Sequence, residues 1–124
     1  MVAKTLKAVT KSLDAPDEVR QFGHGELRVV NLDIVTIGRV VLQPGWRWSK
    51  DIKPIANTET CQSQHVQYVI AGRLMVAMDD GTQLELKAGE AGVIPPGHDA
   101  WVVGDEPFIA VDFTGMTDYA KGGR

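Results

Sequence analysis

The stretch "GEAGVIPPG", residues 89–97, places a short apolar run between a glycine turn and a Pro-Pro-Gly turn. The same rhythm extends outward in both directions, because the 13 Gly and 6 Pro of this 124-residue chain separate short runs rich in Val, Ile and Leu. These runs include "LRVVNL", "IVTIGRVVL", "VQYVI", "LMVAM", "AWVV" and "FIAVDF". Short apolar runs at this spacing, with Gly-rich turns between them, indicate an all-β sandwich or barrel.

Local signals refine this prediction. The segment "MVAMDDGTQLEL" (75–86) predicts a β-hairpin, because Asp80-Gly81 supplies the positive φ angles of a tight turn. Helix signals are weak, and "SLDAPDEVRQF" (12–22) predicts at most one short N-terminal helical turn. We expect a single domain over residues 1–124, with a core of about 26–114, an N-terminal arm at 1–25 and a flexible tail at 115–124.

Composition excludes several classes of protein. The net charge is -3, from 13 basic and 16 acidic residues, which argues against nucleic acid as a partner because a polyanion binder needs a dense basic surface. No apolar run reaches the roughly 20 residues that span a bilayer, and the N-terminus lacks the apolar region of a secretory signal. The single cysteine fits a reducing compartment. We therefore expect a soluble cytoplasmic protein with no membrane partner.

The turn pattern resembles a motif of the cupin superfamily. The second cupin motif runs G-x5-P-x-G-x2-H-x3-N, and Gly89, Pro95 and Gly97 have its spacing. The resemblance, to small single-domain cupins of the conserved β-barrel type, covers about residues 40–113. It implies a double-stranded β-helix, or jelly-roll barrel, and a homodimer.

The ligand positions of the family are filled by other residues. The first cupin motif runs G-x5-H-x-H-x3-4-E-x6-G, and counting back from Gly72 places its acid slot at His65 and its histidine slots at Glu59 and Cys61. The histidine slot of the second motif falls on Ala100, two residues after His98. The first glycine, Gly45, lies fourteen residues before Glu59 instead of six, so "WRWSKDIKPIAN" (46–57) is predicted to lengthen the loop between two strands.

Strand alternation predicts a polar inner face. Residues 59, 61, 63, 65 and 67 share one face of an extended strand, so Glu59, Cys61, Ser63, His65 and Gln67 are expected to point into the barrel. Such a run favours a wet or ligand-filled cavity, because an unpaired buried polar group costs about 1–3 kcal/mol.

Cys61, His65 and His98 form a candidate metal set, with Glu59 as a fourth candidate and with Asp99 replacing His98 if the strand face reverses after "PPG". Thiolate and imidazole ligands favour zinc, copper, iron or nickel over magnesium or calcium. The alternatives are an inert buried Cys61 and an exposed Glu59 at the end of the long loop. If no metal binds, His65 with Glu59 is the predicted acid–base pair.

The tryptophans admit two interpretations. Trp46, Trp48 and Trp101 either pack in the core and at its rim, or form with Gln67 an aromatic and polar wall around a small organic ligand. Three functions remain open. The first is a metal-dependent enzyme acting on a small molecule in the barrel, and the second is a non-catalytic binding or sensing module that acts through a partner. The third is a structural or vestigial barrel with no ligand.

Overall fold

The computed structural model describes residues 6–114, 116 and 119–121. Within these residues the chain forms nine β-strands and two short helices. The elements are β1 (Glu18–Phe22), β2 (Gly25–Asn31), β3 (Thr36–Leu42), α1 (Trp48–Asp51), α2 (Lys53–Ala56), β4 (His65–Ala71), β5 (Arg73–Met78), β6 (Gln83–Lys87), β7 (Ala91–Ile94), β8 (His98–Val102) and β9 (Phe108–Asp112).

The strands form two antiparallel sheets that face each other. One sheet has the order β1-β2-β3-β9-β4-β7, and the other has the order β6-β5-β8. The chain changes sheet four times, between β4 and β5, β6 and β7, β7 and β8, and β8 and β9. This is the architecture of a jelly-roll barrel, so the all-β prediction is confirmed. In the described part of the chain, no helix has the length and apolar character needed to cross a bilayer.

Side chains alternate between the core and the outer surface along most strands. Residues of β8 and β9 are buried at every second position, as a strand with one inward face requires. The core is apolar and includes Leu27, Val40, Leu42, Val69, Val76, Phe108 and Ala110. The predicted hairpin is present, since β5 pairs with β6 and Gly81 has a φ of 93°.

Within the described residues, both helices lie in the insert (46–57). Residues 12–15 make a single hydrogen-bonded turn, in which the Ala15 N–H donates to the Ser12 carbonyl (3.1 Å). The insert contains α1 and α2, with Pro54 in the first turn of α2 and Asn57 at its end in the left-handed conformation (φ 61°). Asp99 attaches the insert to β8, because its Oδ1 accepts the Ser49 N–H (3.0 Å).

Hydrogen bonds join the first strand to residues near the end of the described chain. Strand β1 lies within the segment 1–25 that was expected to be an arm, and its Arg20 is buried. The Arg20 guanidinium donates hydrogen bonds to the carbonyl oxygens of Met116 (2.9 Å) and Tyr119 (2.7 Å). Met116 and Tyr119 lie in the segment 115–124 that was expected to be a flexible tail, and both pack into the core.

Candidate metal centre

Three potential metal ligands meet at one end of the barrel. His65 is the first residue of β4, His98 is the first residue of β8, and the Cys61 N–H donates to the His98 carbonyl (2.8 Å). One ligand atom from each residue lies within 4.8 Å of the others, and all three side chains are buried. The His65 and His98 rings meet edge to face with centroids 5.5 Å apart. The structure thus brings the predicted metal set together, and His98, not Asp99, faces inward.

The two histidines are oriented by hydrogen bonds at Nδ1. His65 Nδ1 lies 2.7 Å from Asp112 Oδ2, and His98 Nδ1 lies 2.7 Å from the Pro95 carbonyl oxygen. Both partners can only accept when Asp112 is ionised, so each Nδ1 carries the proton and each Nε2 presents a lone pair when the ring is neutral. Metal-binding histidines in proteins are held in this way by a carboxylate or a carbonyl.

The separation of the ligand atoms suits a metal ion. Cys61 Sγ and His65 Nε2 lie 3.7 Å apart. A tetrahedral ion with a thiolate at about 2.3 Å and an imidazole nitrogen at about 2.0–2.1 Å holds these two atoms about 3.6 Å apart. The residues present therefore fit a thiolate- and imidazole-bound transition metal ion.

The electrostatics of the cluster favour a charged thiol. Burial raises the pKa of the Cys61 thiol, but hydrogen bonding to His65 and His98 outweighs this effect and lowers that pKa to about 6. Burial lowers the pKa of His65, whereas hydrogen bonds to Asp112 and Cys61 raise it to about 9. Without metal, Cys61 is then a thiolate and His65 an imidazolium at neutral pH, so metal binding at His65 Nε2 displaces a proton.

Asp112 joins the cluster to the cavity wall. This buried carboxylate also accepts hydrogen bonds from Gln67 Nε2 (3.0 Å, to Oδ2) and from the Thr114 N–H (2.9 Å, to Oδ1). Tyr119 lies on another side of His65, with ring centroids 5.5 Å apart. Burial raises the pKa of Tyr119 well above its usual value, so its phenol is uncharged at neutral pH.

The cluster opens onto a small cavity inside the barrel. Its volume is about 30 Å³, which is room for a few atoms and far less than the roughly 300–1,000 Å³ of a drug-sized site. The lining residues that carry a polar side-chain group are Trp46, Trp48, His65, Gln67, His98 and Tyr119.

Two of the predicted site residues lie elsewhere. Glu59 is exposed and accepts a hydrogen bond from Lys53 Nζ (2.6 Å), so the prediction that it faces the interior and pairs with His65 is wrong. The reason is that β4 begins only at His65, and the preceding segment does not keep strand alternation. Trp101 does not line the cavity; its outer surface is covered by Arg47, whose guanidinium carbon lies 4.3 Å from the ring centroid.

Sequence reasoning missed Asp112 and Tyr119. Asp112 had a usable signal, because Phe108, Ala110 and Asp112 alternate on one face of an apolar strand, and a carboxylate there requires a partner. Tyr119 lies in a tail whose polar and glycine residues indicate mobility, and no local pattern predicts its burial.

Known structures share this architecture. Oxalate decarboxylase from Lactobacillus farciminis, solved in complex with formate, superposes with a TM-score of 0.59 at 21% identity, over 82% of this chain and 32% of that one. A protein of unknown function from Rhizobium leguminosarum gives 0.60 at 23% identity, over 88% and 97%. A cupin-like protein from Thermotoga maritima gives 0.53 at 17% identity, over 77% and 72%. The chain has the cupin fold.

This cupin-fold chain spans about a third of the oxalate decarboxylase and nearly all of the Rhizobium protein. At these identities the likeness concerns the fold alone. No protein-family model matches the sequence, and no curated protein matches it. The similarity therefore supports the fold, whereas the candidate metal site rests on this chain's own Cys61, His65 and His98.

Proposed function

We infer that this cupin-fold protein is a metal-dependent enzyme that acts on a small organic molecule inside the barrel. The observation that carries the proposal is the convergence of Cys61, His65 and His98 with both histidines oriented through Nδ1. Buried polar groups need such an explanation, because leaving them without partners costs stability.

The donor set favours a borderline or soft divalent metal. One thiolate and two imidazoles suit zinc, iron, copper or nickel, whereas magnesium and calcium prefer oxygen ligands. Three protein ligands also leave a coordination position open, which is typical of catalytic zinc sites, whereas structural sites are closed by four protein ligands. A metal ion bound here would supply a Lewis acid next to the cavity.

Other residues of the cavity would orient and enclose a substrate. Asp112 holds His65 in one orientation and keeps its Nε2 directed at the cluster. Gln67 is held by the same carboxylate oxygen, so its amide also has a fixed position on the cavity wall. The apolar walls contributed by Leu42, Ile94 and Phe108 exclude bulk water, which strengthens every electrostatic interaction with a bound substrate.

Cobalt titration tests the metal site directly. Cobalt(II) bound to a thiolate gives an intense near-ultraviolet charge-transfer band, and its visible bands report the coordination geometry. We expect metal-free protein to take up one equivalent with this band, and Cys61→Ser to lose the band. Absence of uptake by the folded wild-type protein would contradict the proposal. Uptake followed by ligand binding without turnover would instead favour a binding or sensing module.

We further propose that the protein is a cytoplasmic homodimer. The metal set uses the only cysteine of the chain as a free thiol, and a reducing compartment keeps it available. Several large apolar side chains are exposed on the outer face of the six-stranded sheet, as a surface buried between two copies would require.

A further inference from the structure

Three buried polar atoms around the cavity lack partners. The indole nitrogens of Trp46 and Trp48 and the amide oxygen of Gln67 make no hydrogen bond in the described part of the chain. All three residues line the same cavity, and none is more than 5% exposed. Because an unsatisfied buried polar group destabilises the fold, the cavity contents are expected to supply the missing partners.

The required partners can be deduced from these atoms. Gln67 Nε2 donates to Asp112 Oδ2, and the reverse orientation of the amide would place two acceptor oxygens against each other. The unpartnered oxygen of Gln67 is therefore an acceptor. Indole N–H groups only donate. A complementary ligand offers acceptor lone pairs to Trp46 and Trp48 and one N–H or O–H to Gln67.

The donor pattern favours an uncharged ligand. A carboxylate could accept hydrogen bonds from the two indoles, but it has no N–H or O–H to donate to the Gln67 oxygen. A neutral amide offers both kinds of group.

We propose that the cavity recognises a small primary amide or urea-type compound of about three to five non-hydrogen atoms. Its carbonyl oxygen accepts hydrogen bonds from the Trp46 and Trp48 indoles, and its NH₂ group donates to Gln67 Oε1. The cavity volume of about 30 Å³ sets the size. This substrate class rests on the proposed function, because it names what would bind in the cavity beside the proposed metal site.

The test uses formamide as the probe and the cobalt-loaded protein as the reporter. Formamide is expected to bind saturably and to change the visible cobalt spectrum. Sodium formate has the same size but lacks the donor and carries a charge, so it is expected to bind at least about tenfold more weakly. Tighter binding of formate than of formamide would overturn the proposal, as would no response to either, which would mean that the cavity holds water only.

Two cavity variants test whether the unpartnered atoms of Trp48 and Gln67 bind formamide. Trp48→Phe keeps an aromatic ring, although a smaller one, and removes the N–H, so it is expected to weaken formamide binding about tenfold. Gln67→Leu removes the amide oxygen and is a second, independent test. Circular dichroism checks that both variants fold. Trp101→Phe lies outside the cavity and is the matched control. Unchanged formamide affinity in both cavity variants would contradict the assignment.

The same series separates this inference from the metal proposal. Absence of the thiolate–cobalt band refutes the metal site whatever formamide does. In that case formamide binding is measured in the metal-free protein by indole fluorescence, and an unchanged emission overturns the amide inference as well. A normal cobalt band with no formamide response overturns the amide inference alone.

Discussion

Asp112 is expected to position His65 for metal binding. Asp112→Asn is nearly isosteric but removes the charge that holds the His65 Nδ1 proton. We expect the zinc affinity, measured by competition with a chelator, to fall about 10–100-fold.

Asp99→Asn is the matched control for this change. Asp99 points away from the cluster and binds the Ser49 and Ala100 backbone, so its substitution should leave zinc affinity unchanged. Equal effects of the two variants would indicate a general loss of stability instead of a loss of His65 positioning.

The Cys61 thiol of the metal-free protein is expected to ionise near pH 6. Its hydrogen bonds to His65 and His98 lower the thiol pKa from 9.0, so the thiolate is present above about pH 6 and is protonated below it. The ultraviolet absorbance of the thiolate, with Cys61→Ala as the blank, measures this titration. A midpoint between pH 8 and 9, the range of an unperturbed thiol, would contradict the described geometry.

Only part of this cluster could be predicted from the sequence. Counting back from Gly72 placed Cys61 and His65 in ligand slots, since the spacing before a tight turn is local information. Asp112 could not be found in this way, because it lies 47 residues from His65 and meets it only when β9 pairs with β4. Glu59 was misplaced because alternation holds only within a regular strand.

At the scale of elements, turn chemistry was more informative than strand periodicity. The spacing of Gly89, Pro95 and Gly97 correctly predicted β7 and the turn before β8, because few residues satisfy such turns. The helices of the insert were not predicted, since each has only four residues and depends on packing of Trp48 and Ile52 against the barrel. Propensity is a weak guide to elements of that length.

The turn between β4 and β5 is predicted to require glycine at position 72. Gly72 has a φ of 80°, and a Cβ there would lie 2.3 Å from the Pro107 carbonyl oxygen. Gly72→Ala is expected to lower the free energy of unfolding by more than about 2 kcal/mol, as measured by urea denaturation.

The variant Gly81→Ala separates the cost of the clash with Pro107 from the cost of the left-handed backbone. Gly81 has a similar φ of 93°, but a Cβ there meets nothing within 4 Å. Its substitution should cost only about 1–2 kcal/mol for the left-handed backbone. A smaller loss at Gly72 than at Gly81 would show that the close approach to Pro107 is absent.

For the whole molecule, the outer face of the six-stranded sheet is the surface expected to form the dimer. Tyr68 and Ile70 on β4 and Val93 on β7 are each 46–59% exposed and lie on adjoining strands. We expect light scattering to give twice the monomer mass, and the double variant Tyr68→Lys, Ile70→Lys to give the monomer mass.

Leu84→Lys provides the control for the dimer. Leu84 is similarly exposed but lies on β6 of the other sheet, so its substitution should leave the mass unchanged. A monomeric wild-type protein would contradict the predicted dimer without affecting the metal site, because all three ligands come from one chain.

The metal content of protein purified without added metal tests the central claim most directly. Elemental analysis is expected to find close to one equivalent of zinc, iron, copper or nickel per chain, and to find it lost in Cys61→Ala and in His65→Ala. His24→Ala, at an exposed histidine outside the cluster, should retain it. Folded wild-type protein that carries no metal and takes up none on titration would contradict the account.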